Sequence, residues 1–150
     1  MDLFQMFSIS GGAMAAQRTR LSVITGNMAN AETTRTPEGG PYRRRDVIFQ
    51  AAPLRTGFAD LMAENSPDAA AQPISVEVAG IRQGTRPPRQ IFDPTHPDAN
   101  ANGYVSLPDI NVMEEMVDLL SAVRSYEANL TAFNATKSLV RRLLDLGRAS

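Results

Sequence analysis

Residues 111–147, NVMEEMVDLLSAVRSYEANLTAFNATKSLVRRLLDLG, decide the fold. Alternate steps of four and three residues from Val112 reach Met116, Leu119, Val123, Tyr126, Leu130, Phe133, Lys137, Val140 and Leu144, and only Lys137 is polar. That spacing draws one apolar stripe along a helix, the a/d seam of a coiled coil. Met113, Val117, Leu120, Leu139 and Leu143 flank the seam, so the apolar face is broader at both ends than in the middle and has room for two partners. Asn111 and Glu114 have capping-box spacing, and Gly147 predicts the stop. Glu114, Glu115 and Asp118 near the start and Arg141 and Arg142 near the end suit the helix dipole. A helix over residues 112–146 would be a rod of about 50 Å at 1.5 Å per residue.

A weaker copy of this pattern opens the chain. The same stepping from Leu3 reaches Phe7, Ser10, Met14, Gln17, Leu21, Ile24, Met28 and Ala31. Gly11 and Gly12 interrupt it, each at a cost of about 1 kcal/mol relative to Ala, which predicts a bend or a frayed first turn. The firm part is then Ala13 to Ala29, with an exit over Asn30 to Thr34. All ten prolines lie between Pro37 and Pro108, so helix is confined to the two ends.

The middle reads differently. Residues 33–45, TTRTPEGGPYRRR, are turn and extended material. Asp46–Gln50 reads as a short strand, and Ile74–Ala79 alternates apolar and polar as a half-buried strand does. Gln90–Phe92 and Tyr104–Leu107 are two more short strands. Residues 51–73 form the flexible stretch, small and Ala-rich from residue 55 onward. The expected fold is mostly α: long N- and C-terminal helices paired as a coiled-coil-like hairpin, with a small β-rich and irregular middle. The expected division is residues 1–34, 35–108 and 109–150. A β patch of this size needs something to lean on.

Composition narrows the function. The chain has 150 residues, 43% of them hydrophobic, with no Trp and a net charge of −1. That charge argues against a nucleic-acid partner. Zero cysteines exclude disulfides and thiolate metal sites. Asp2 and the early Ser8, Ser10, Gly11 and Gly12 argue against a cleaved signal peptide, and no stretch suits a transmembrane segment.

Chemistry-bearing residues are few. His96 is the lone histidine, and Pro87, Pro88 and Pro94 bar the helix that a J-domain places before its His-Pro-Asp loop. Asp98, Asn100, Asn102, Gly103 and Asp109 have the spacing of an EF-hand calcium loop. No helix enters that loop, however, and an Asx turn closed by Gly103 accounts for the same residues. Arg43, Arg44 and Arg45 read as a solvated strand edge. Asp93 and Asp98, the pair a peptidoglycan hydrolase would need, sit in a Pro-rich turn. With one histidine and no cysteine, nucleophilic catalysis lacks its usual base. We expect no enzyme and no cofactor.

Leu21 to Arg35, LSVITGNMANAETTR, resembles the signature of the flagellar axial proteins of rod, hook and filament type, a helix ending in N-x-A-N before a Thr-containing exit. Gly40 to Arg44, Phe92 to Val105, Asn111 to Leu119 and Tyr126 to Asn129 extend the match along nearly the whole chain, and they are most similar to proximal-rod members of that family. The resemblance implies a structural subunit of the basal-body rod in the periplasm. It implies export by the flagellar type III apparatus without signal cleavage, and assembly with other rod proteins and copies of itself. The product is a helical tube that transmits torque and lines the export channel. It places the assembly interface on Met14, Leu21, Ile24, Asn27, Met28 and Asn30 of the first helix. On the last helix it falls on Met116, Leu119, Val123, Tyr126, Glu127, Asn129, Leu130, Phe133 and Val140. Asn27 and Asn30 are expected to cap the helix exit. The alternative is a helical-hairpin binding module, such as an export chaperone or adaptor.

Overall fold

The computed structural model describes residues 3–54 and 73–148, and the central part of the expected flexible stretch, residues 55–72, lies outside them. Among the described residues six elements follow in order: α1 (Leu3–Ala29), β1 (Arg45–Pro53), β2 (Ile74–Gln83), β3 (Arg89–Phe92), β4 (Tyr104–Leu107) and α2 (Val112–Arg148). Two long helices thus bracket a small strand region. No helix among the described residues is long and apolar enough to cross a membrane.

Both helices outrun their expected limits. α1 continues unbroken through Gly11 and Gly12. Gly12 serves packing: a Cβ there would lie 2.6 Å from Ser75 Oγ and 3.4 Å from the Val76 carbonyl. α2 runs through Gly147, so that residue is not the stop. At its start Asn111 is the cap, with Oδ1 accepting from the Met113 N–H at 3.1 Å and the backbone carbonyl from Glu115 N–H at 3.0 Å.

The strands form two separate pairs, β1 with β2 and β3 with β4. Leu54 N–H donates to the Pro73 carbonyl at 2.9 Å and Gly84 N–H to the Arg44 carbonyl at 2.7 Å, which makes the first pair antiparallel. β1 extends to Pro53, so residues 51–53, expected to be flexible, are strand. β3 and β4 are antiparallel with Arg89 opposite Leu107 and Phe92 opposite Tyr104. The Phe92 and Tyr104 rings meet edge to face at 5.3 Å. β2 departs from the expected alternation: Ser75 is buried, while Ile74 and Val76 are exposed. α1 approaches at Gly12 so closely that only a small side chain fits beneath it.

Contacts divide the chain into two units. Unit 1 draws on Met1–Arg18, Phe49–Ala79 and Val123–Ser150, and unit 2 on Thr19–Ile48 and Gly80–Ala122. Unit 1 buries small residues: Ser10, Ala16, Ser75 and Thr136. Phe7 and Phe133 meet edge to face at 4.9 Å in this unit, a contact worth about 0.5–1.5 kcal/mol beyond its buried area. Unit 2 buries Ile24, Ala31, Val105, Pro108, Ile110 and Ala122 around two polar side chains, Asn27 and Glu115.

Candidate functional site

The buried stripe of α2 is offset from the sequence seam. It passes Glu115, Leu119, Ala122, Tyr126, Asn129, Phe133, Thr136 and Val140, again in steps of four and three. Half of the expected seam is retained, and the other half moves back by one residue. Small Ala122 (fully buried) and Thr136 let neighbouring backbone come close, so Met116 and Leu130 turn toward solvent at 43% and 40% exposure. On α1 the same shift puts Asn27 inside, at 1% exposure, with Met28 only half-buried.

Asn27 and Glu115 are the centre of a polar node in unit 2. Asn27 Nδ2 donates to the Arg45 carbonyl at 2.9 Å and to Glu115 Oε2 at 3.1 Å. Its Oδ1 accepts from the Arg45 N–H at 2.9 Å and from the Tyr42 hydroxyl at 3.2 Å. One amide thus pairs with the backbone of β1 as another strand residue would, and so fixes where β1 begins. Asn27 therefore does not cap its own helix. Asn30 does, with Nδ2 donating to the Gly26 carbonyl at 2.8 Å and Oδ1 accepting from the Thr33 hydroxyl at 3.2 Å. The chain then turns over Gly39 and Gly40, whose φ values of 91° and 77° suit glycine.

Arg44 completes the node, and it is no solvated edge. Its Nε lies 2.6 Å from Glu115 Oε1, its Nη1 2.8 Å from Asp46 and its Nη2 3.6 Å from Asp118. Asp118 also reaches Arg20 at 3.3 Å. Burial opposes the Arg44 charge, but the hydrogen bond and charge of Glu115, with Asp46 and Asp118, hold its pKa above the ordinary value. Burial likewise pushes the Tyr42 phenol up, against the pull of Arg45, whose guanidinium stands 5.5 Å over the Tyr42 ring. This node joins the end of α1, the start of β1 and the first turn of α2. Its arrangement is a structural clasp, because every acceptor on Glu115 and Asn27 is engaged by the chain itself.

The calcium-like residues serve other bonds. Asn100 Oδ1 accepts from the Asn102 and Tyr104 N–H groups at 2.9 and 3.0 Å, an Asx-type turn that Gly103 closes with a φ of 79°. The Asp98 carboxylate accepts from the Thr34 hydroxyl at 2.7 Å, and Asp109 pairs with Arg86 at 3.1 Å. Asp93 accepts from the Thr95 N–H and hydroxyl, and those bonds hold its carboxyl below the ordinary range. No cluster of three or more metal-ligating side chains occurs among the described residues.

The residues expected at an assembly interface fall into three groups. Ile24 and Asn27 are buried within the chain. Met14, Leu21, Met28, Asn30, Leu119, Val123, Tyr126, Asn129, Phe133 and Val140 are half-buried. Met116, Glu127 and Leu130 are exposed. Sequence reasoning missed Glu115, Arg44 and Tyr42. The available signal was small Ala122 and Thr136 at seven-residue multiples from Glu115, a seam whose first member is a carboxylate.

Exposed apolar side chains gather at the two ends of α2. Met113 is 69% exposed, Val117 67% and Leu120 58%, while Leu143, Leu144 and Leu146 are exposed by 56–71%. Between them the exposed residues include the polar Arg124, Glu127, Thr131 and Asn134. The two apolar ends are the sites with surface left to bury.

Residues 7–35 match the family model described as flagella basal body rod protein, and residues 101–146 match the flagellar basal body rod FlgEFG protein C-terminal model. The chain is 43% identical over 150 residues to the flagellar basal-body rod protein FlgC of Borreliella burgdorferi, covering 96% of this chain and 97% of that one. It is 38% identical to FlgC of Bacillus subtilis and 39% to FlgC of Salmonella typhimurium, each over 99% of this chain and all of the relative. The chain belongs to the FlgC family of flagellar basal-body rod proteins.

Proposed function

We propose that the chain is a structural subunit of the flagellar rod whose terminal helices pair as a coiled-coil-like hairpin and build the tube wall with neighbouring subunits. The exposed apolar side chains at the two ends of α2 are the observation that carries this reading. They leave the helix unfinished as a globular element and suited to heterologous contacts, which extend into filaments when they do not close. The Phe7–Phe133 ring pair and the Arg20–Asp118 ion pair support an antiparallel course of the helices, each within its own unit. Residues 1–34 and 109–150 then form the inner, axial part, and residues 35–108 the outer part that sets spacing between subunits. In that assembly the chain transmits torque, lines the export channel, and reaches the periplasm through the type III apparatus without a cleaved signal. Its partners are other rod proteins and further copies of itself. Met116 and Leu130 join the apolar ends in the interface, and the half-buried seam residues shape it from beneath.

The test is a double substitution, Val117→Glu with Leu143→Glu, in a strain lacking its own copy of the protein. We expect loss of swimming and of incorporation into isolated basal bodies, with the helix content of the purified variant unchanged by circular dichroism. Full swimming by this variant would refute the assembly role of the two ends.

A further inference from the structure

Arg35, Arg43 and Arg89 are exposed, and no carboxylate among the described residues pairs with them. All three lie in unit 2 along a series of depressions linked by shared lining residues. Its first part, about 290 Å³, is lined by Arg35, Arg43 and Arg45 beside Tyr42. The next, about 80 Å³, shares Pro41, Tyr42 and Arg43 with the first and adds Arg86. The last, about 490 Å³, shares Arg44, Arg86 and Asp109 with the second and adds Arg89 beside the start of α2. The arginines therefore follow a path, and they do not merely scatter over the surface.

Charge along the path is unbalanced by pairing rather than by count. Asp46 is committed to Arg44 and Asp109 to Arg86, which leaves Glu38 and Glu114 against four lining cations that make no ion pair, Arg35, Arg43, Arg45 and Arg89. Arg45 is held over the Tyr42 ring, and a stacked guanidinium presents its fork to a carboxylate with little further ordering. Tyr and Arg in a concave setting are the residues that anchor protein contacts.

We propose that this arginine-lined groove receives an extended, carboxylate-bearing segment of a neighbouring axial subunit, a proposal that rests on the rod reading above. Isolated exposed ion pairs contribute little. Several guanidinium groups lining one groove act together, and they set the register and orientation of the partner as much as its affinity. The groove runs up to the start of α2, and its charges supply direction where the exposed apolar side chains supply burial.

The experiment compares three variants in the strain lacking its own copy: Arg43→Glu with Arg89→Glu, Arg43→Lys with Arg89→Lys, and the control Arg18→Glu with Arg124→Glu on exposed positions of unit 1. We expect incorporation of the first into isolated basal bodies to fall by roughly tenfold or more, and the other two to stay within roughly twofold of the unaltered protein. Circular dichroism must show the reversed variant folded, and a partial refolding defect is met by reading the single Arg43→Glu variant in the same way. Incorporation of the folded reversed variant at the unaltered level, or an equal fall in the control, would overturn the proposal. So would tight binding of duplex DNA or anionic vesicles that the reversal abolishes while incorporation is untouched. Absence of the unaltered chain from basal bodies would instead remove the rod reading, and the groove's partner with it.

Discussion

Unit 1 and unit 2 solve the same problem with opposite materials. Unit 2 closes around the largest buried side chains of the described residues, Glu115, Asn27 and Pro108, with Arg44 and Tyr42 bonded to the first two. Unit 1 closes around Ser10, Ala16, Ser75 and Thr136, with Gly12 against Ser75. A buried polar network tolerates one arrangement, because any shift leaves a charge or an amide unpaired. Small-residue packing brings backbones together but buries little apolar area, which leaves Leu139, Leu143, Leu144 and Leu146 outside. The difference teaches that the polar node of unit 2 is specified by its own chain, whereas the apolar end of α2 in unit 1 is finished by what it meets.

The largest expected effect is on the node. Glu115→Ala leaves Arg44 and Asn27 without their shared acceptor and should lower unfolding free energy by about 3 kcal/mol. Thr136→Ala in unit 1 removes a hydroxyl that donates to the Ala132 carbonyl at 3.0 Å within its own helix, and should change stability by less than about 1 kcal/mol. Urea unfolding of both variants measures the contrast, and equal costs would break the comparison.

A medium effect separates two adjacent glycines in unit 1. Gly11 has nothing within 4 Å of a built Cβ, so Gly11→Ala should stabilise by about 0.5–1 kcal/mol through helix propensity. Gly12→Val forces Ser75 and the Val76 carbonyl away and should cost about 2 kcal/mol. Thermal melts of the two variants moving in the same direction would show that small-residue packing does not hold this unit.

The node and the two glycines also show how far the sequence could be read. Among the described residues, the two long helices, their approximate limits and the four strands follow from apolar spacing and proline placement, and the family resemblance follows from motifs such as Gly26 to Arg35. The exact face of each helix does not. Periodicity ranks residues by hydrophobicity, so it chose Met116 and Met28 over Glu115 and Asn27, one position away in each case. The choice between such neighbours depends on the partner across the contact. Arg44 lies 71 residues from Glu115, and no local pattern announces that pairing. For the same reason Arg44 looked like one of three solvated arginines, and Gly12 like a helix breaker.

The smallest expected effect is on acidity, in the turn that joins β3 to β4. Bonds from Thr95 hold the Asp93 carboxyl below the ordinary aspartate range. A depressed carboxyl contributes stability that is present above the unfolded value and lost as pH falls through the folded one. Nuclear magnetic resonance of the Thr95 amide should therefore show a midpoint below that of an unperturbed aspartate, with the turn intact at neutral pH. A midpoint above that value would mean that Thr95 does not hold the carboxylate.

The central claim is that the polar node of unit 2 is closed by its own chain and that the apolar ends of α2, one in each unit, are closed by others. A side-chain-resolution density map of intact basal bodies containing this protein tests it most directly. We expect Asn27, Arg44 and Glu115 to be bonded within one subunit, and Met113, Val117, Leu120, Leu143 and Leu146 to be covered by neighbouring subunits. A map in which those five side chains face solvent, or in which Arg44 and Glu115 pair across two subunits, would contradict it.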